Sequence, residues 1–206
     1  MLLRSSAIVL LVPALCVLAP GPAIGQLVVE VSAGARYSTA LVRDSIVTPL
    51  EVRPALAPAV ALTLATPLEH GWGAHVTFDF STSEMQRHDA DGSSAALGRV
   101  STAAFMVGLE HRLPAGFFAR AGVGALKYLP SEKTGIFREG AGSITALGAL
   151  AIGYALPVRT RFGFVVEAGY DIHGFTTPAL RDEGFDSART IHRVALTIRA
   201  KGRGSR

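Results

Sequence analysis

The chain of 206 residues has a single cysteine, Cys16, a single tryptophan, Trp72, and few charges: Asp, Glu, Lys and Arg make up 17% of it, against roughly 25% in an ordinary soluble domain. Each shortage excludes something. Cys16 lies in an apolar N-terminal segment, so a chain that has lost that segment has no disulfide and no cysteine-ligated metal. Beyond residue 25 no apolar run reaches the ~18 residues of a spanning helix. The six histidines show no zinc-ligand spacing, and no glycine-rich loop follows a strand and opens a helix. Asp89-Ala90-Asp91-Gly92 lacks the later bidentate glutamate of a calcium loop and reads as a solvated tip. The 20 Lys and Arg outnumber the 16 Asp and Glu, but no basic stripe with interleaved aromatics accompanies them, so no nucleic-acid partner is expected.

What is present is alternation. Hydrophobic residues make up 49% of the chain, and after the N-terminus they recur at every second position. Residues 1–25 read as a secretory signal: a short basic start at Met1-Leu2-Leu3-Arg4, an apolar segment from Ala7 to Leu18, and a small-x-small site at Ala23-Ile24-Gly25 before Gln26. Residues 26–200 read as one barrel, and 201–206 as a basic C-terminal tail.

The clearest unit is Gly98 to Pro130. From Val100 to Leu113, Ala103, Phe105, Val107 and Leu109 share one face, while Thr102, Ala104, Met106, Gly108, Glu110 and Arg112 share the other. After the Leu113-Pro114-Ala115-Gly116 turn, Phe117, Ala119, Ala121, Val123 and Ala125 oppose Phe118, Arg120, Gly122 and Gly124. Arms of this length suit a tilted strand of ~9–11 residues crossing a bilayer.

The same pattern recurs along the chain. Leu27 to Tyr37 sets Val29, Val31 and Tyr37 against Glu30, Ser32 and Arg36; Leu56 to Ala65 follows, with Pro58 near its start. Trp72 to Ser81 sets Val76, Phe78 and Phe80 against His75, Thr77 and Asp79. Ser143 to Leu156 is uncharged, but Gly148, Gly153 and Pro157 favour a strand over a buried helix. Arg161 to His173 sets Phe162, Phe164, Val166, Ala168, Tyr170 and Ile172 against Glu167 and Asp171, and Thr190 to Ala200 sets Val194, Leu196 and Ile198 against Arg193 and Arg199. Long polar loops are expected around Arg43, Asp44, Pro49 and Glu51, from Ser83 to Leu97, from Ser131 to Ala141 and from Gly174 to Ala188, alternating with short turns at Pro67, Pro114 and Pro157.

An all-β chain of eight strands whose connections alternate long and short predicts an eight-stranded antiparallel transmembrane β-barrel, with short periplasmic turns and longer extracellular loops. The apolar face is too bulky for a lumen of eight strands, whereas glycine, alanine, serine and charged residues fit a narrow polar interior. Trp72, Phe117, Tyr154 and Phe162 near the short turns, with Tyr37, Phe80 and Tyr170 near the long loops, form the expected interface girdles.

In leader, strand phase, loop alternation and Leu-Pro turns the chain resembles the small outer-membrane β-barrel proteins, the group that includes the OmpA barrel, OmpX and OmpW. The resemblance implies residence in the cell outer membrane, contact with outer-membrane lipid and the barrel-assembly machinery, and a monomer whose extracellular ligand would meet the long loops. Such barrels commonly end in an aromatic residue, whereas this closing strand ends Ile198-Arg199-Ala200.

Some barrels of this membrane modify lipid A, and His75, Thr77 and Asp79 on one inward face, with Ser81 in phase, offer the residue types of an acyl-transfer site. Residues two apart on a strand stand ~7 Å apart, so direct hydrogen bonds do not follow from the spacing; polar lumen filling is the favoured reading, no catalytic, cofactor-binding or metal residues are expected, and the protein is not expected to be an enzyme. A lipid-A hydrolase or acyltransferase on the same barrel, and a soluble lipocalin-like periplasmic binding barrel, are the alternatives. His173 and His192 are expected at the rim. The expected role is structural, adhesive or that of a narrow pore, with lumen arginines paired to carboxylates on neighbouring strands. On that basis Glu167→Ala should strand buried arginine, and Val107→Arg should harm insertion far more than Gly108→Ser.

Overall fold

Period-two alternation sustained over ten or more residues buries one face of a strand and leaves the other for a second environment. The computed structural model describes residues 27–44, 50–142, 144–157, 162–184 and 187–202. The expected leader, Cys16, Pro49 and the last four residues lie outside the described residues, as does the side chain of Phe162. The described strands are β1 (Val28–Ser38), β2 (Val42–Asp44), β3 (Leu50–Pro54), β4 (Ala57–Pro67), β5 (Trp72–Asp89), β6 (Ser94–Arg112), β7 (Phe117–Pro130), β8 (Thr145–Ala155), β9 (Phe162–Phe175) and β10 (Arg189–Gly202). Eight of them close a ring in the order β1, β4, β5, β6, β7, β8, β9, β10 and back to β1, every pairing antiparallel. A closed ring leaves no backbone edge in the wall, which is what a bilayer core demands.

The two faces separate as their residues dictate. Val123 is 66% exposed, Leu196 61% and Leu150 59%, all on the outside, while Glu30, Arg36, Asp79, Arg120, Asp171, Arg193 and Arg199 are buried inside. Residues 145–155 are strand, and Pro58 is the second residue of β4 with its side chain outward. Two short turns are built alike. Ala115 and Gly116 have φ of 58° and 85°, and His70 and Gly71 have φ of 55° and 79°. The Phe117 N–H returns to the Pro114 carbonyl and the Trp72 N–H to that of Glu69, giving type I′ turns whose twist matches the strands they join.

The long-loop end departs from expectation in two places. Ser83 to Leu97 is not a loop: β5 and β6 run on past the ring as a hairpin whose turn is residues 90–93. Its polarity resembles that of a loop, yet Ser83 and Met85 continue the inward phase, and Asp91-Gly92 is a hairpin signal. The first long loop likewise carries β2 and β3, with β3 paired to the β5 extension. A four-strand sheet, β2-β3-β5-β6, therefore stands above the barrel. The connection after β7 holds a single turn of 3₁₀ helix at Gly135–Phe137, and that after β9 holds α1 (Pro178–Asp182). At the other end β10 continues through Lys201, which pairs with Glu30 and Gly163, to Gly202.

Gly108 requires a second correction. A Cβ there would lie 2.3 Å from the Ala121 carbonyl oxygen and 2.8 Å from His75 Nε2, so serine at 108 is not a benign addition to the lumen. At Gly169, also inward, a Cβ meets nothing within 4 Å. Gly169→Ser is expected to fold into vesicles like the parent and Gly108→Ser to fold poorly, as read from heat-modifiable gel mobility.

Candidate functional site

The inward side chains form three layers along the barrel axis. Nearest the short turns, Glu30 (β1), Glu110 (β6) and Glu167 (β9) converge on Arg120 (β7) and Arg199 (β10). Glu30 Oε2 accepts from Arg120 Nη2 at 2.8 Å and from Arg199 Nη1 at 2.6 Å. Arg120 Nε donates to Glu110 Oε2 at 2.6 Å, and Arg199 Nη2 to Glu167 Oε2 at 2.7 Å. Both guanidinium groups lie over the Phe118 ring, at 5.5 and 4.8 Å from its centroid. β1 and β7 stand four strands apart in the ring, so the Glu30–Arg120 bond crosses the full diameter. Pairing between neighbouring strands alone was the expectation. Long arginine side chains in a narrow lumen reach the far wall, which residue phase by itself does not reveal.

The middle layer holds a two-pronged pair, with Arg36 Nη2 donating to Asp79 Oδ2 at 2.8 Å and Nη1 to Oδ1. Arg193 Nε donates to Asp171 Oδ1 at 2.6 Å and its Nη1 to Thr102 at 3.2 Å. Hydroxyl pairs, Thr63 with Thr77 at 2.9 Å and Ser81 with Thr102 at 2.8 Å, complete it. Between the two charged layers lies a cavity of about 100 Å³, bordered by His75, Thr77, Gly169 and the arginines Arg36, Arg120 and Arg199.

His75, Thr77 and Asp79 are brought to one face as expected, but not into a catalytic chain. Both oxygens of Asp79 are taken by Arg36, and no Asp79 contact reaches the imidazole. His75 Nδ1 lies 3.4 Å from the Thr77 hydroxyl, which also faces Thr63, while its Nε2 has no partner. Nucleophile, base and orienting acid are not in series, as acyl transfer requires.

The third layer, nearest the long loops, was not foreseen. Here the interior is apolar: Val100, Leu126, Tyr128, Leu147, Phe175 and Ile191 from the wall pack with Leu41 and Phe137 from the connections, and with Met85. His173 is 4% exposed and accepts or donates at 2.7 Å to the Tyr128 hydroxyl, so it is the floor of this plug and not a rim residue. His192 does sit outside, bonded to the Tyr170 hydroxyl at 2.6 Å. The signal for the plug was present in the phase, since Leu126 and Tyr128 continue the inward face of Arg120, Gly122 and Gly124. Apolar residues at a strand end read the same whether they meet lipid or a folded-in loop.

A closed antiparallel barrel with an apolar outside and an ion-paired inside defines a transmembrane β-barrel protein. No protein-family model matches the chain, and no curated protein matches it in sequence. In fold it is similar to Neisserial surface protein A (NspA), with a TM-score of 0.53 at 8% identity over 86% of this chain and 97% of that one. It is likewise similar to the outer membrane protein AlkL, solved in DMPC bilayers, with a TM-score of 0.51 at 14% identity over 89% and 94%. At such identities the likeness is one of fold, and the fold is that of the small outer-membrane β-barrels.

Proposed function

We propose that the protein is an outer-membrane barrel that works as a closed scaffold, holding its extracellular sheet above the lipid, and not as a conduit. The observation that carries this reading is the double closure of the lumen. The Glu30–Arg120 bond spans the short-turn half, and the apolar plug around Leu126, Phe137 and Phe175 fills the long-loop half. The cavity left between them, about 100 Å³, is bordered on both sides by buried side chains. Neither layer is a side chain hanging free: each guanidinium in the short-turn half bonds two carboxylates, and the plug is made from strand walls and connections together. With Asp79 held by Arg36, no catalytic role is proposed for His75, Thr77 or Asp79.

Planar-bilayer recording of the refolded protein tests this. The expected result is no discrete steps above baseline. Large, stable, weakly selective conductance would show an open lumen and end the scaffold reading.

A further inference from the structure

The sheet above the barrel has two edges, and they differ. β2 is three residues long, Val42-Arg43-Asp44, and Arg43 is paired with Glu51 at 2.9 Å. Short length and charge are the usual protections of an edge strand. The other edge is the outer end of β6. Ser94, Ala95 and Ala96 pair with His88, Arg87 and Gln86 of β5, but pairing with β7 begins only at Val100. Ser93-Ser94-Ala95-Ala96-Leu97-Gly98 contains no charge and no proline, and it has no strand neighbour on its β7 side among the described residues.

Against this edge lies a cavity of about 320 Å³. Ala96, Leu97 and Gly98 of the edge form one side, Val52 and Met85 the floor, and Ile136 and Phe137 the far side. Glu132 stands at its border, exposed, and forms none of the described ion pairs. An open run of backbone donors and acceptors beside an apolar hole is the arrangement by which an added strand is recognised: the backbone supplies affinity and the hole selects a side chain.

We propose that β6 from Ser94 to Gly98 is a docking edge for an extended polypeptide segment, which adds as a strand, places one apolar side chain in the cavity and sets a lysine or arginine against Glu132. The carboxylate decides the charge of the occupant, and the bare edge decides that it is a peptide. A small apolar molecule would leave the edge unpaired. A second copy in the same membrane cannot fill the place, because a two-fold axis along the membrane normal would set two β6 strands parallel, and parallel pairing lacks that symmetry. The proposal rests on the reading of the barrel as a scaffold for this sheet.

The test uses the full chain in lipid nanodiscs and a fluorescent capped peptide, Thr-Thr-Lys-Thr-Leu-Thr-Thr, whose lysine and leucine share one face of a strand, followed by anisotropy. Two further peptides carry backbone N-methyl groups on alternate residues, one in each phase. An added strand turns only one phase of N–H groups to the sheet, so one methylated peptide should bind about tenfold weaker or worse and the other nearly as well as the parent. Replacing the peptide's lysine by glutamate should weaken binding to the parent protein, and Glu132→Lys should reverse that preference. Equal binding of the two methylated peptides, an unchanged charge preference in Glu132→Lys, or no binding by any peptide would overturn the docking edge. Peptide binding that saturating hexanol leaves unchanged would also overturn it, since the apolar anchor would then be elsewhere. Conductance in bilayers would end the scaffold reading alone, so the two failures are distinguishable.

Discussion

Asp79→Ala is expected to lower the stability of the barrel by about 3–5 kcal/mol, the scale for removing one partner of a buried ion pair. Arg36 and Asp79 have side-chain exposures of 8% and 6%, and Asp79 is the only carboxylate within ion-pair distance of Arg36 among the described residues. Removing it leaves a buried guanidinium with no carboxylate in ion-pair distance, Asp171 acting on it only from further away and already bonded to Arg193. Glu167→Ala should cost less, contrary to what strand phase implied. In the layer near the short turns three carboxylates share two arginines, and Arg199 keeps Glu30 at 2.6 Å when Glu167 is gone. Two carboxylates then face two arginines, a balanced set. Urea titration of protein refolded into vesicles, followed by heat-modifiable mobility, measures both. A Glu167→Ala loss equal to that of Asp79→Ala would show that the shared layer is not redundant. The double variant Asp79→Leu with Arg36→Met should recover most of the loss, because replacing a buried pair by apolar residues of similar size is often neutral or stabilising.

Val123→Arg is the second large effect, about 2–4 kcal/mol against insertion if the residue lies near the middle of the bilayer. Val123 sits at the centre of β7, beside Val107 of β6 and Gly148 of β8, and is 66% exposed on the outer face. An arginine there has no inward route, since the inward positions on either side are the glycines 122 and 124, packed against the backbone of β6. It must snorkel along the wall or thin the bilayer. Gly169→Ser, inward and unobstructed, is the matched control, and the folded fraction in vesicles is the readout. Equal folding of the two would reverse the assignment of inside and outside.

The lower layer also bears on how tightly the wall is specified. Glu30 and Arg199 join β1 to β10, the first and last strands of the ring. A one-residue slip of either strand in that closing pair would turn its own charged residue, Glu30 or Arg199, outward into lipid and part the two. The ion pairs therefore contribute to register as well as to closure, at the one seam of the ring whose two wall strands are not consecutive along the chain.

The architecture was legible in the sequence because it rests on local patterning. Alternation at period two set which residues face out, glycine and proline marked the short turns, and a bilayer tolerates only a closed form of such a sheet. Leu150, Val123 and Leu196 outside, and Glu30, Arg36 and Arg193 inside, follow from phase alone. Phase says nothing about distance across the lumen or about what folds in from above. It could not show that Arg120 bonds Glu30 on the opposite wall, that Asp79 is spoken for by Arg36 and so unavailable to His75, or that Phe137 and Leu41 come down to pack on Leu126. The polar run from Ser83 to Leu97 resembled a loop because only Ser83 and Met85 are buried in it and the outer part of the projecting hairpin meets solvent, which selects polar residues as a loop does; the pairing of β5 with β3 and β6 distinguishes them. The sequence by itself determined the barrel and its two faces. The tertiary structure decided which side chains fill the lumen, because that depends on which groups meet across a space that no strand pattern records.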